Sequence, residues 1–433
     1  MANARLIYGL DDESLMAQVD GYGIPSSSVL VVYNLLQRKN KDVNLAEVLD
    51  SLVENQMVAS YARKKLSQAQ LFPTDRVGFP ALVAMEDEFI GVLRSTFSDA
   101  LGVYLKNTPK GSLESFVFAP FVLTKAQLKQ EIHFQQLLSH QLNDEQREQA
   151  KALTLIQFKF PNEAVQSITL WDIYSRQNVQ GRVAFHQYDI QAIKNALHKR
   201  IAAAFVLYWA EKYSGLNQQE ISALRQFSQN KRIKGNYLKH IGLALDVHAT
   251  SPRLKALAKQ ISFDEIKEYY GLHKKDFKQI EKVKARHIRL ATQQEAKRVL
   301  ESINKGLDFS VAARKYSIAD DKNAILAGDL GWLERKNTQQ SWLTSLALLQ
   351  AKGVVSSAIR SPQIDGAKVH WEIILVDDVV EGYQNVQSKA VRYAASKALA
   401  KKKTLAGFIA LKQQLKLTSE ILLPRNLKPE KQL

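Results

Sequence analysis

The sequences KARHIRL at residues 284–290 and VHWEIILVDD at residues 369–378 frame the stretch that decides the fold of this chain. Each predicts a β-strand. Between them, apolar residues at intervals of three and four predict a helix, carried by Ala296, Val299, Leu300 and Ile303, and Phe309, Ala312 and Ala313 lead a second short helix. The turn AGDLGW at 327–332 follows, where glycine permits backbone angles that other residues resist. The order predicts an α+β unit of about a hundred residues, an ordinary domain size.

Composition sets wide limits. The chain has 433 residues, which predicts two or three domains, and it is 45% hydrophobic and 24% charged, as ordinary globular proteins are. Cysteine is absent, which excludes disulfides, thiolate nucleophiles and thiolate metal sites. The apolar run at 201–210 is far shorter than the roughly 20 residues that span a bilayer. The first residues show no signal-peptide pattern. We therefore expect either a cytoplasmic chain or a numbering that begins after a removed signal or anchor.

Charge suggests the kind of partner. Lys and Arg number 60 against 43 Asp and Glu, a formal net charge of +17, which speeds the capture of acidic partners. The basic residues are scattered and match no compact nucleic-acid motif, so no specific nucleic acid partner is expected. Lys401, Lys402 and Lys403 lie on a predicted helix. They form either a solvated helical face or a contact for an anionic lipid or nucleic acid. Both readings of the charge stay open.

Outside residues 284–378 the patterns are mainly helical. Apolar spacing predicts helices over 45–65, 125–142, 188–213 and 385–415, and alternation predicts a strand at 154–161. Capping boxes at Asn217 with Glu220 and at Ser262 with Glu265 mark two further helix starts. The final SEILLP, residues 419–424, predicts a short strand.

The order of segments between residues 284 and 378 resembles that of the parvulin-type (PpiC-type) peptidyl-prolyl isomerases. The segments are ARHI, QEAKRVLESINKGLDF, ARKYS, AGDLGWL and a last strand with a histidine. Weaker likenesses extend to envelope chaperones of the SurA, PrsA and PpiD kind. Val19, Asp20, Gly21 and Ile24 are similar to the opening of the SurA-type chaperone domain, and Glu265, Tyr269, Tyr270 and Phe277 to its lead-in to the isomerase domain.

This resemblance implies an α+β fold with two parts. The first is a mainly helical SurA-like chaperone domain built from both chain ends: residues 1–276, with an insertion expected within 75–260, and residues 385–433 as a returning helix and strand. The second is a parvulin-like domain, residues 282–380, with a small antiparallel sheet.

The resemblance also implies site residues. His287 and His370 take the places where parvulin-type domains set two histidines facing each other across the sheet, and Asp320 or Asp321 lies near the family's acidic position. Two readings stay open for the histidines: a catalytic pair, or core histidines bonded to one another that fix the sheet. The other histidines show no metal-ligand spacing, so neither a metal nor a cofactor is expected.

Prolyl isomerisation breaks no covalent bond but crosses a barrier of about 18–20 kcal/mol. A catalyst must hold the proline ring in an apolar pocket and withdraw water from the amide. The family's methionine and two phenylalanine positions fall here on Thr338, Trp342 and Ala347, and Trp332 and Leu333 complete the expected substrate site. A pocket with these substitutions is expected to bind the proline ring weakly. We therefore expect isomerase activity that is weak or lost, and whether the chain is an enzyme stays open.

Three functions therefore compete. The first is a periplasmic or envelope chaperone that binds unfolded exported polypeptides, including acidic ones. The second is a fully active prolyl isomerase, and the third is a dedicated partner of a secretion or surface-polymer export machine that binds an acidic client. A removed anchor or signal would place the protein near a membrane. The sequence does not determine the clients or the oligomeric state.

Overall fold

The protein is described by a computed structural model, which covers residues 6–72, 77–134, 140–244, 251–335, 341–363, 366 and 368–425. The chain divides into two compact units. Unit 1 takes its residues from 1–254 and 401–433, and unit 2 takes residues 255–400. The predicted domain boundaries at 276, 282, 380 and 385 stay a prediction.

The strands of the described residues, in chain order, are β1 (Leu6–Leu10), β2 (Leu15–Val19), β3 (Tyr22–Pro25), β4 (Val117–Ala119), β5 (Thr154–Phe158), β6 (Gln166–Thr169), β7 (Lys278–Leu290), β8 (Asp329–Glu334), β9 (Ile359–Arg360), β10 (Trp371–Tyr383) and β11 (Ile421–Pro424).

The helices of the same residues are α1 (Ser26–Gln37), α2 (Leu45–Lys65), α3 (Gln68–Leu71), α4 (Ala81–Thr96), α5 (Ser98–Lys106), α6 (Lys125–Glu131), α7 (Asp144–Ala152), α8 (Leu170–Tyr174), α9 (Val179–His186), α10 (Ile190–Tyr213), α11 (Gln218–Ile241), α12 (Pro252–Lys259), α13 (Phe263–Leu272), α14 (Gln293–Asn304), α15 (Phe309–Tyr316), α16 (Trp342–Ala347) and α17 (Lys389–Thr418). Short 3-10 turns lie at Leu113–Phe116, Lys274–Phe277 and Asp320–Asn323.

Both chain ends meet in one sheet of unit 1. Its strand order is β1-β11-β2-β3, and β11 runs parallel to β1 and antiparallel to β2. Ile421 of β11 is buried in the same apolar core as Ala17 and Val19 of β2. The prediction that one mainly helical unit is built from both ends of the chain is therefore confirmed.

Long helices form the rest of this unit. Capping boxes begin α2 at Asn44 and α11 at Asn217, as the second was predicted to do. Glu54 of α2 pairs with Lys234 of α11 at 2.7 Å and with Lys412 of α17 at 3.1 Å. Burial alone raises the pKa of Glu54, but the two lysines outweigh it and hold that pKa below its ordinary value. One carboxylate thus joins three helices.

The helix predicted over 125–142 is wrong beyond its first two turns. Helix α6 ends at Glu131, and residues 135–139 lie outside the described part. Ile132, which has extended backbone, and Phe134 are both buried in the core, and the Phe134 N–H donates to the Tyr188 hydroxyl at 2.8 Å. Burial of these two side chains, together with that hydrogen bond, replaces the helical bonds that local propensity favoured.

Unit 2 is built on a second sheet, antiparallel throughout, with strand order β8-β7-β10-β9. One face packs on α14 and α15 through a cluster that includes Ile288, Val299 and Ile373. The other face packs on α16 through a cluster that includes Ala285, Ala347 and Ile374. The predicted small antiparallel sheet is confirmed, and its two faces follow the two-residue alternation of β7 and β10.

Among the described helices, none combines the length and the apolar composition that crossing a membrane requires.

The turn before β8 comes very close to β7. Gly328 has φ of +75°, and a Cβ there would lie 2.2 Å from the His287 carbonyl oxygen. The backbone N–H of His287 donates to the Gly328 carbonyl at 2.8 Å. Gly331 has φ of +65° but open space where its Cβ would be. Gly328 is therefore required both by its left-handed backbone angle and by the close approach of the turn to β7, whereas Gly331 is required by its angle alone.

We predict that Gly328→Ala destabilises the protein more than Gly331→Ala does. The left-handed angle costs each alanine about 1–2 kcal/mol, and only the first also forces backbone atoms apart. The measurement is the free energy of unfolding in urea for both variants. Equal losses would mean that the turn is free to move away from β7.

Candidate active site

His287 stands at the centre of the site, on β7, with 2% of its surface exposed. Its Nδ1 lies 2.7 Å from Oε2 of Glu372, and its Nε2 lies 2.7 Å from Oδ2 of Asp321. Both ring nitrogens thus meet a carboxylate oxygen at hydrogen-bond distance. An ionised carboxylate only accepts, and neutral imidazole has a single N–H, so two ionised carboxylates at these distances favour the doubly protonated imidazolium.

Glu372 is the second buried charge of the site. It lies on β10 and is 0% exposed. Its other oxygen, Oε1, accepts from Nε of Arg289 at 2.7 Å. Arg289 stands directly opposite Glu372 in the pairing of β7 with β10, whereas His287 lies diagonally across. Two cations from one strand therefore neutralise one carboxylate on the next.

The pKa directions agree with this geometry. Burial by itself lowers the pKa of His287, but the hydrogen bonds and charges of Glu372 and Asp321 outweigh it and raise that pKa. Burial likewise raises the pKa of Glu372, and His287 and Arg289 outweigh it and lower that pKa. The charged form of each partner is thus the one that the fold stabilises.

Asp321, and not Asp320, reaches the site. Both lie in the 3-10 turn Asp320–Asn323, but Asp320 is exposed while the Asp321 carboxylate contacts His287. The Asp321 carbonyl accepts from the N–H of Gly328 at 3.1 Å, which holds the turn over the sheet. Its Oδ1 is buried and has no hydrogen-bond partner among the described residues. Of the two predicted acids, only Asp321 is available to act with His287.

His370 lies at the edge of the site. Its ring Nε2 is 3.3 Å from Oε1 of Glu372, and its ring centroid is 6.0 Å from that of Trp342. The two histidines were expected to face each other across the sheet, either as a catalytic pair or bonded to one another. In the structure the Glu372 carboxylate lies between them, because Glu372 points to the same face as His287. Their catalytic roles stay a prediction.

The predicted substrate residues that the structure describes separate into three groups, and Thr338 lies outside them. Trp342, at the start of α16, is half-buried beside His370. Trp332 is exposed, with the Lys282 Nζ 5.0 Å from its ring centroid. Leu333 and Ala347 pack in the apolar cluster beneath the sheet, and Ala347 is 0% exposed, so it forms no open pocket floor here. Thr338 falls within 336–340, outside the described residues.

Glu372 and Arg289 are the functional residues that the sequence reasoning missed. A signal was present, because Glu372 interrupts the apolar run WEIILV, and a charge inside a buried strand requires a partner. Arg289 and His287 lie close by in the opening strand and supply that partner. Among the described residues, no group of three or more His, Asp or Glu side chains is arranged to hold a metal ion.

A hydrogen-bonded frame holds these groups in place. The Ser317 hydroxyl accepts the backbone N–H groups of Arg289 at 3.1 Å and Ala319 at 3.2 Å, which ties the loop carrying Asp321 to β7. Arg286 forms two bonds to the Asp377 carboxylate, at 2.8 and 2.6 Å, and a third to the Ser310 hydroxyl of α15 at 2.8 Å. The site is therefore built on the sheet and anchored to it at both sides.

The class that this geometry defines is a small α+β domain with a buried histidine–carboxylate cluster at the end of an antiparallel sheet. Residues 276–378 match the family model described as the PPIC-type PPIase domain of rotamases. This stretch of the chain is therefore similar to that family of domains.

Curated relatives match over short stretches. The periplasmic chaperone PpiD of Escherichia coli is 33% identical over 131 residues, which is 30% of this chain and 19% of that protein. The foldase protein PrsA of Caldanaerobacter subterraneus is 38% identical over 72 residues, 17% of this chain and 22% of that protein. The chain thus spans less than a quarter of the length of either relative.

Solved structures give fainter likenesses. A SurA-like chaperone of Campylobacter jejuni is 10% identical, with 94% of this chain and 98% of that chain covered and a TM-score of 0.25. PrsA from Bacillus anthracis is 19% identical, with 55% of this chain and 82% of that chain covered and a TM-score of 0.21. Neither score supports an argument about this protein.

We predict that Glu372→Gln lowers the free energy of unfolding by about 3 kcal/mol or more, because it leaves the buried His287 cation beside a neutral amide. The matched control is Glu381→Gln on the same strand, which removes an ion pair to Lys278 whose side chains are about half exposed. Exposed pairs contribute about 0–1 kcal/mol. Similar losses for both variants would contradict the buried ion pair.

The loss caused by Glu372→Gln should also depend on pH. The pKa of His287 is raised from an ordinary 6.5, so the pair contributes fully below that value and its contribution is lost as the pH rises through the folded pKa. The pKa of Glu372 is lowered from an ordinary 4.5, so the contribution is full above that value and is lost as the pH falls through the folded pKa. Urea unfolding of both proteins should therefore show the largest difference between these two values and a smaller one at alkaline pH.

Proposed function

We propose that this protein is a foldase-type chaperone of the periplasm or cell envelope that binds unfolded exported polypeptides. Its PPIC-type domain serves mainly to bind peptide, with weak or no isomerase activity. The observation that carries the proposal is the family match over residues 276–378. The printed names of the relatives, periplasmic chaperone and foldase protein, support the chaperone role and the location.

The site geometry supports weak catalysis. A twisted prolyl amide is stabilised by an apolar, dry surround and by groups that interact with it more strongly than with the planar form. His287 already gives both ring nitrogens to carboxylates, and Ala347 is buried beneath the sheet. Trp342 and His370 are half-buried, and the surface they leave open can contact an aromatic or proline side chain without enclosing it.

Two other functions keep specific support. The retained His287 and its contact with Asp321 favour a working isomerase. The net charge of +17 favours a dedicated export partner that captures an acidic client or polymer. Binding that weakens steeply with salt is expected of the export partner, and binding to apolar peptides that resists salt is expected of the chaperone.

We predict little acceleration of cis/trans exchange in a short proline peptide followed by NMR, and the same rate with His370→Ala. Wild-type protein should nevertheless keep an unfolded client soluble, and Trp342→Ala should weaken its binding of an aromatic peptide, because it removes a half-buried aromatic ring beside His370. Leu349→Ala, at an exposed leucine just beyond α16, is the control. Strong acceleration that His370→Ala reduces would establish an active isomerase, and failure to hold any unfolded client would overturn the chaperone proposal.

A further inference from the structure

Unit 1 contains an open surface pocket of about 340 Å³, far along the sequence from the PPIC-type domain. Its lining side chains share one property, since none is acidic and two are arginine: Tyr22, Arg63, Ser222, Arg225, Gln226 and Gln229. We call it the two-arginine pocket.

Three elements build this pocket. Residues 222, 225, 226 and 229 fall three and four apart on α11 and therefore share one face of that helix. Arg63 comes from the last turn of α2. Tyr22 begins β3 just after the turn in which Asp20 and Gly21 have φ of 48° and 84°, and 53% of its surface is exposed. The pocket is thus assembled on elements that the core of unit 1 holds in place.

Neutral groups position both arginines. Nη2 of Arg63 donates to Oδ1 of Asn230 at 2.9 Å, and the Asn230 amide in turn donates to Oε1 of Gln56 at 2.5 Å. The Arg225 guanidinium lies 4.5 Å from the centroid of the Phe89 ring. No ion pair joins either arginine to a carboxylate among the described residues, so two positive charges stand together without a balancing anion.

The acidic residue nearest to this face along α11 is already engaged. Glu220 accepts the Asn217 N–H in its capping box at 2.7 Å and also the Ser27 hydroxyl. Elsewhere in unit 1 the pattern differs, because Arg176 and Arg200 each pair with Glu86, at 2.8 and 2.9 Å. Arg38 of the same unit bonds instead to the backbone carbonyls of Ser95 and Thr96. What distinguishes the two-arginine pocket is therefore that two arginines without a carboxylate partner line one concavity.

We propose that the two-arginine pocket binds the side-chain carboxylate of an Asp or Glu residue in a client polypeptide. The planar guanidinium fork matches a carboxylate in two parallel bonds. Ser222 and Gln229 offer hydroxyl and amide groups to the client backbone, and Tyr22 offers an exposed ring to a neighbouring apolar side chain. This inference rests on the proposed chaperone function and adds to it a class of client: unfolded segments in which acidic and apolar residues alternate.

The size and shape of the pocket favour a peptide. Its volume fits one or two side chains, and its charges are two cations in a concavity lined by amides and hydroxyls. Nucleic acid and anionic membranes are bound instead through many phosphate contacts spread over an extended basic surface. A single concave carboxylate site is therefore the better match to what the structure shows.

The test measures binding of a fluorescent twelve-residue peptide with alternating Glu and Phe to the full chain by anisotropy at moderate salt. The comparison peptide carries Gln at each Glu position. The variant is Arg63→Gln/Arg225→Gln. The control is Lys64→Gln/Lys65→Gln, which also removes two positive charges, from exposed residues next to Arg63 in α2 that do not line the pocket. Vesicles in which one third of the lipid is an anionic phospholipid are titrated in parallel. A separate measurement, whether the protein keeps a neutral unfolded client soluble, reports the chaperone function itself.

Wild-type protein should bind the Glu peptide more tightly than the Gln peptide, and the arginine variant should lose about tenfold or more of that affinity, since hydrogen bonds to charged groups contribute about 1.5–3 kcal/mol. The lysine control should stay within twofold of wild type. Equal losses of affinity for the Glu peptide in the arginine variant and the lysine control would show a general charge effect and overturn the site. Binding that depends on the arginines but is seen only with the vesicles would overturn it too.

The neutral client separates the two proposals. If it is held by wild-type protein and by the arginine variant while the Glu peptide is lost, both the chaperone function and the site are supported. If it is not held at all but the Glu peptide still binds through the arginines, the chaperone proposal fails and the carboxylate site stands. If it is held and the arginine variant binds the Glu peptide as wild type does, the site fails alone.

Discussion

The ion pair between His287 and Glu372 is the interaction on which unit 2 depends most. Both residues are almost completely removed from water, and a buried charge without a partner costs several kcal/mol. The pair therefore fixes more than one feature at once. It sets the position of β7 against β10, it requires Arg289 to neutralise the second carboxylate oxygen, and it draws the turn carrying Asp321 onto the sheet. The glycine at 328 follows from the same constraint, because that turn has to approach the His287 backbone closely.

The fold of unit 2 could be predicted because its pattern is local. Strands with two-residue alternation and helices with apolar intervals of three and four appear directly in the sequence, and the structure has them where the pattern indicates. The joining of both chain ends in unit 1 could be predicted only through resemblance, since nothing in SEILLP by itself indicates that it pairs with β1 and β2. The helix over 125–142 was predicted too long, because propensity does not reveal that Ile132 and Phe134 are needed in the core.

The site was harder to predict than the fold. The resemblance led to His287 and His370, but which side chain reaches His287 depends on strand register, and Glu372 of β10 bonds to it while His370, two residues earlier and just before β10, does not. That difference changes the chemistry. A pair of histidines can share and exchange protons, whereas His287 between two carboxylates is held as a cation. A histidine whose two ring nitrogens are both engaged by carboxylates holds the sheet and the turn together, which agrees with the proposal that the domain binds more than it catalyses.

The measurement that tests this account most directly is the protonation state of His287. In protein labelled with ¹⁵N at histidine, the shifts of Nδ1 and Nε2 report whether each nitrogen carries a proton, and His287→Gln assigns the signals. If the buried ion pair is present, both nitrogens of His287 are protonated at pH 7, which is above the ordinary histidine pKa of about 6.5. A neutral ring at pH 7, with one nitrogen unprotonated, would contradict the buried ion pair and return His287 to the role of a proton-exchanging catalytic histidine.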